Sequence, residues 1–549
     1  MEKTTKVCGN IVDVVQRRIY RGTLIIADGC IHQIEETGEP MESILIPGFI
    51  DAHIHIESTM VTPAEFGRVA VRHGTLAAVS DPHEIANVLG IEGIEYMLAD
   101  AEFSPIPVYF SAPSCVPATP FETSGASLHQ KELSALLTRK DIRYLGEMMN
   151  FPGVIFGDQE VHAKLNIARK LGKPIDGHAP LLTGPQLKTY AEAGITTDHE
   201  CTSLEEALEK IELGIKILIR EGTAAKNFEA LFPLLNSHPE FCMLCSDDKH
   251  PDDLLRGHIN QLVKRAVLKG CNLYDVLRAA SSNAIRHYSL PIGQLQVGDS
   301  ADFLVVDDLH NFNVQQAWLS GRQIMNKAGY AMPFRKPESV NRFATKHKQL
   351  IDFAIPAQTK SVQVIKVNDG SLLTERAVYL PHIVENVVTA DLEHDILKLT
   401  VVNRYQDAPP ALALVQGFGL QDGALATTVA HDSHNILAVA TNDHDLLAAV
   451  NLLIDSQGGL AVVARQRHIE AVLPLPIAGL MSTDDLETTA QAYRNLDSLA
   501  HELGSALTAP FMTLSFMALL VIPELKLSDR GLFDGNDFKF TNLFIQDDI

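Results

Sequence analysis

Between residues 44 and 246 short apolar runs recur along the chain, at 44–56, 75–80, 106–111, 143–148, 174–178, 196–200, 215–220 and 241–246. Uninterrupted apolar runs this short read as strands buried on both faces. The stretches between them, for example 63–73, 159–171, 184–193 and 203–213, carry apolar residues at helical spacing. Strand and helix alternating eight times over about 240 residues predict an α/β fold, a (β/α)8 TIM-like barrel over 46–289. The competing arrangement is an open doubly wound sheet, but neither Gly-x-Gly-x-x-Gly nor a phosphate loop follows the first strand, so the barrel is preferred.

The pattern changes on either side. Residues 3–44 hold brief β-type runs broken by turns, with Asp28-Gly29 as a hairpin signal. A similar passage returns at 298–307 and 314–324. Together they predict a small composite β-sandwich from 1–45 and 290–335, with the barrel inserted. Pro333, Pro337 and the basic stretch 342–348 read as a linker. Beyond it, 340–549 mixes strand runs (377–380, 396–402) with a helix at 443–455, a C-terminal α/β domain read as structural, as a lid or as an oligomer interface.

Composition narrows the task. The 549 residues are 46% hydrophobic, enough for a large core and several domains, and 45 basic against 68 acidic residues leave a net charge of −23. That balance argues against nucleic acid or an anionic membrane as partner, though not against a nucleobase. There is no basic start followed by a long apolar run, and no apolar stretch of about 18 residues. Seven scattered cysteines suit reduced thiols, so a cytoplasmic protein is expected; Cys242 and Cys245 are read as strand and core residues.

Active sites of such barrels lie at the C-terminal strand ends. There the chain offers His53 and His55, then Asp81, His83 and Glu84, Ser111, Glu147 and Asn150, Asp176 and His178, Asp198, His199 and Glu200, Arg220, and finally Asp247 and Asp248. A His-x-His places two imidazoles on one strand face. Four of the histidines (53, 55, 178 and 199) with Glu147 and Asp247 exceed what one tetrahedral ion needs, and suit two divalent ions sharing a carboxylate. Asp51, Asp176, Asp198 and Glu200 are expected to accept hydrogen bonds from the ligating imidazoles. His83 and Glu84 are candidates for holding substrate, as are Ser111 and Asn150. Asp248 is read as a supporting or solvated carboxylate. His431-Asp432-Ser433-His434 is read as a capping and turn cluster in preference to another metal site.

These strings resemble the amidohydrolase superfamily: Pro47-Gly-Phe-Ile-Asp-Ala-His53-Ile-His55, the later single histidines and the acid of the eighth strand. Longer strings resemble its adenine deaminases, namely residues 55–60, 81–88, 146–154, 176–180 and 246–251. The resemblance implies hydrolytic deamination of adenine to hypoxanthine and ammonia, with cyclic-amide hydrolysis or deacetylation as the alternative on the same scaffold. It also implies that Glu147 bridges two ions where many relatives use a carbamylated lysine. His53 and His55 would hold one ion together with Asp247, and His178 and His199 the other. Asp247, Glu147 and His199 would be catalytic, with Asp247 moving protons. The implied ions are manganese(II) or iron(II) ahead of zinc, and the implied assembly is a homo-oligomer, a dimer.

Overall fold

The computed structural model describes residues 4–326, 329–330 and 332–545. Residues 1–3, 327, 328, 331 and 546–549, which fall within the expected sandwich and C-terminal segments, lie outside the described residues.

The first expected strand is two. β4 (Ile44–Pro47) and β5 (Phe49–Ile54) are separated at Gly48, where a Cβ would come within 2.2 Å of Leu76. β4 belongs to an eight-stranded sheet made from both ends of the expected insertion. From the early chain come β1 (Thr5–Asp13), β2 (Arg18–Ala27) and β3 (Cys30–Glu36). From the later chain come β13 (Phe303–Val306), β14 (Val314–Leu319), β15 (Arg322–Asn326) and β16 (Gly329–Tyr330). The two halves join where β4 pairs antiparallel with β13, Ile46 opposite Leu304. Ile11, Leu24, Leu45, Phe303 and Trp318 form their shared core.

β5 opens a curled parallel sheet with β6 (Thr75–Ser80), β7 (Val108–Ala112), β8 (Ile142–Met148) and β9 (Ile175–Gly177). A second parallel sheet holds β10 (Thr197–Asp198), β11 (Lys216–Arg220) and β12 (Cys242–Cys245). Hydrogen bonds link the two sheets at each side: Thr196 N–H to the Ile175 carbonyl (2.9 Å), and Asp247 N–H to the His53 carbonyl (3.0 Å). Cys242 and Cys245 are buried strand residues.

The helices between the strands have readable ends. In Gln159–Leu171 the Asp158 side chain accepts from Val161 N–H, and Gly172 terminates the helix at φ 65°. Its inward face is Val161, Lys164, Leu165 and Ala168, the spacing of one helical stripe. Lys164 is buried, and its ammonium donates to the Ser114 carbonyl at 2.8 Å.

The C-terminal region contains a second eight-stranded sheet, running from Glu375–Tyr379 at one edge to Ile469–Pro474 at the other. It is not a separate body on a tether. One apolar cluster runs without a break from Ile54 and Phe110 of the parallel sheet to Leu397, Leu514 and Phe516. Helix Leu486–Glu502 seals the junction, where Leu486 N–H donates to Glu65 (2.8 Å) and the Tyr493 ring meets His250 edge-on at 4.8 Å.

Candidate metal centre

His53 ends β5 from within, and His55 follows it as the chain turns into a short 3-10 helix, so both rings face the C-terminal mouth of the parallel strands. Their Nε2 atoms are 3.2 Å apart. The His55 Nδ1 donates to the Asp81 carbonyl at 3.0 Å, which leaves the lone pair on Nε2, aimed into the centre. Asp247 Oδ1 lies 3.5 Å from His53 Nε2 and 3.3 Å from His55 Nε2. Glu147 Oε1 is 3.4 Å from His55 Nε2. On its other side Glu147 Oε2 stands 3.3 Å from His178 Nδ1 and 3.0 Å from His199 Nε2.

These spacings test whether the residues suit metal. Donors bound at about 2.0–2.1 Å around one ion are roughly 3–3.4 Å from one another. Most of the separations fall at that measure, His53 to Asp247 and to Glu147 being slightly longer at 3.5 and 3.7 Å, and Glu147 is common to the two groups. All six side chains are buried, and their ligand atoms form close triads, His53 with His55 and Asp247, and His53 with Glu147 and His199. The set fits divalent cations.

The electrostatics agree. Burial alone would push the Glu147 and Asp247 carboxyls up, but the imidazoles and the guanidinium around them outweigh it. His199 and His55 hold Glu147 well below the usual carboxylate range, and Arg220 and His199 do the same for Asp247. Asp247 adopts φ 55°, a left-handed conformation that aspartate tolerates better than most residues, directly after β12 and Ser246. Glu147 is set by its neighbours: its N–H donates to Asp81 Oδ2 (2.9 Å), and a Cβ on Gly146 would lie 2.3 Å from that same oxygen. Only glycine lets Asp81 approach so closely.

The remaining expected residues divide. His83 and Glu84 line the cavity over the centre. Ser111 and Asn150 do not. The Ser111 hydroxyl donates to Asp81 (2.7 Å), and the Asn150 side chain caps helix Phe151–Ile155 by accepting from Gly153 N–H. Each is used up by the scaffold. Asp51, Asp176 and Asp198 likewise accept from groups other than the ligating imidazoles: Ser246, Thr197 with Tyr288, and the backbone of Ala179 and Glu200. Glu200 reaches His178 Nδ1 (3.4 Å) and His199 Nε2 (3.3 Å), the same nitrogens that face Glu147, so it stands among the ligand atoms rather than behind the rings. Asp248 is buried, accepting from Ser58 at 2.5 Å, rather than solvated.

Two contributions went unread in the sequence. Arg220, which ends β11 after the apolar run Ile217-Leu-Ile219, pairs with both Glu200 and Asp247. The segment 431–434 is no surface turn but part of the cavity wall. His431 Nδ1 lies 2.6 Å from Glu84 Oε1, His434 Nε2 bonds the other Glu84 oxygen, and His431 and Asp432 face the cavity. The available signal was five consecutive polar residues, two of them histidine, set between apolar Ala430 and Ile436.

An amidohydrolase family model matches residues 44–324, the class that the parallel sheet and its centre define. A model of the adenine deaminase C-terminal domain matches residues 371–539. The chain is 49% identical over 543 residues to an adenine deaminase of Parabacteroides distasonis, covering 99% of each chain. It is 50% identical over 547 residues to one of Salinibacter ruber, covering 99% of this chain and 100% of that one. The chain belongs to the adenine deaminase family.

Proposed function

We propose that this protein hydrolyses adenine to hypoxanthine and ammonia. The observation that carries the reading is Glu147, placed between two imidazole pairs in a chain about half identical, end to end, to proteins named adenine deaminase. His53, His55 and Asp247 would hold one divalent cation, His178 and His199 the other, with Glu147 between them. Nitrogen and oxygen donors without thiolate suit manganese(II) or iron(II), with zinc third. Bound there, such ions supply Lewis acidity and make hydroxide available near neutral pH.

The chain's own residues do the rest. Asp247 stays ionised beside Arg220 and takes the proton of the attacking water as oxygen bonds to the purine C6. The same carboxyl returns that proton to the amine, which leaves as ammonia. His199, stacked on His53 at 4.3 Å, fixes the wall against which the reacting carbon rests. Phe516, Leu519 and Leu372 of the C-terminal region cover the cavity and exclude bulk water.

The same reading extends to architecture. The two parallel sheets close as one (β/α)8 barrel over 46–289, supported by the hydrogen bonds across both seams. The flanking sheet folds over as a composite sandwich of 1–45 and 290–335, supported by Ala301 N–H donating to the Gly29 carbonyl (2.9 Å). Residues 340–549 are the C-terminal domain, and the working form is a cytoplasmic homodimer.

Protein supplied with manganese(II) or iron(II) is expected to release ammonia from adenine, with adenosine and cytosine inert. No turnover of adenine would overturn the assignment. Glu147→Gln is expected to lose bound metal and activity together; retention of both would remove Glu147 from the bridge.

A further inference from the structure

Asp432 lines the cavity, and one of its carboxylate oxygens is buried with nothing donating to it. The side chain is 2% exposed, and its Oδ2 has no hydrogen-bond partner among the described residues. It lines the same cavity as Glu147 and Asp247, although it comes from the far end of the chain. Its Oδ1 is 3.8 Å from His83 Nε2, while the other nitrogen of that ring, Nδ1, is 3.5 Å from Glu147 Oε1. One imidazole's width therefore separates Asp432 from the carboxylate that marks the reacting centre.

The segment carrying Asp432 is held firmly. His434 Nδ1 accepts from Ala430 N–H at 3.2 Å, so its Nε2 carries the proton given to Glu84. A neutral ring in that state offers no lone pair to a cation, so Glu84, His431 and His434 form a hydrogen-bonded rack rather than another metal site. Ser433 donates to Glu122 at 2.7 Å, and the Tyr405 hydroxyl donates to the Ser433 carbonyl at 2.6 Å. The rack uses both oxygens of Glu84 and leaves Asp432 Oδ2 free.

A buried acceptor without a donor is costly, and the cost is relieved when a ligand brings an N–H. Free adenine has such a group on its imidazole ring, one ring's width from C6. In a nucleoside that nitrogen carries a sugar carbon instead.

We propose that Asp432 accepts the imidazole-ring N–H of a free 6-aminopurine and thereby selects the base over its nucleoside. The inference rests on the adenine reading above. Glu84 then acts as a positioning residue, holding Asp432 through His431 and His434 without touching substrate.

Metal-loaded, full-length wild type and Asp432→Ala would be compared by kcat/KM for adenine and by the inhibition constant of 9-methyladenine, which lacks that N–H. Loss of one hydrogen bond to a charged acceptor should lower kcat/KM for adenine roughly 10- to 100-fold, mostly through KM, and leave 9-methyladenine binding unchanged or tighter. An adenine kcat/KM unchanged in Asp432→Ala, or an equal loss for both compounds, would overturn the proposal. Metal content and Tm report whether Asp432→Ala is folded; if it is not, Asp432→Leu, of similar size and without an acceptor, carries the same comparison. Wild type inactive on adenine would instead sink the underlying reading, so the two failures are distinct.

Discussion

Arg220 ends β11 fully enclosed, one guanidinium nitrogen 2.5 Å from Asp247 Oδ2 and another 2.8 Å from Glu200 Oε2. Burial opposes its charge, but Glu200 and Asp247 more than compensate and raise its pKa further. Removing one partner of a buried ion pair is far more damaging than replacing the pair. Arg220→Met should therefore lower stability by about 3–5 kcal/mol and weaken metal retention, read by Tm and metal content. A Tm equal to wild type would show that Glu200 and Asp247 find other partners. Single residues were legible in the sequence where chemistry and position coincided: His53, His55, His178, His199, Glu147 and Asp247 all sit at or just past strand ends in chain order, and the fold brings them together. Arg220 was less so, because a lone charge after an apolar run reads equally well as solvated. His431 and Asp432 were hidden by separation, since nothing local places residue 432 beside residue 83.

At the scale of elements, helix Gln159–Leu171 shows how far local rules reach. Its start, its stop and its inward stripe all follow from Asp158, Gly172 and the spacing of Val161, Leu165 and Ala168. Asp158→Ala should cost about 1 kcal/mol through the lost cap, seen as a lower Tm with unchanged kcat/KM. No change in Tm would mean that the helix end is satisfied some other way. Strands were harder. Apolar runs showed where strands lie, but not that 44–56 feeds two different sheets, because period-two patterning vanishes when both faces are buried. Likewise β9 and β10 are only three and two residues long where five were expected. Within β10, Thr197 and Asp198 spend their side chains on bracing backbone, accepting from Gly177 N–H and Ala179 N–H, a tertiary demand that propensity does not encode.

For the molecule as a whole, the C-terminal region is part of the site, and one lysine couples that arrangement to pH. Lys526 is fully buried, its ammonium nitrogen 3.0 Å from the carbonyl of cavity-lining Leu372, and burial pushes its pKa down to about 7. The unfolded value is about 10.4, so between these limits the unfolded chain binds more protons and stability rises with pH. Below about pH 7 both states are protonated and the penalty is constant, on the order of a few kcal/mol. Lys526→Met should thus have a higher Tm than wild type near pH 7, with the difference shrinking toward pH 10. A difference that stays flat across that range would show Lys526 to be charged in the folded protein. The cavity wall built by residues 431–434 has a further consequence, for timing during synthesis. His53 leaves the ribosome roughly 380 residues ahead of His434, which at about 5–20 residues per second is some 20 to 80 seconds. For all of that interval the nascent chain carries an unfinished cup of histidines and carboxylates that only its last third can close.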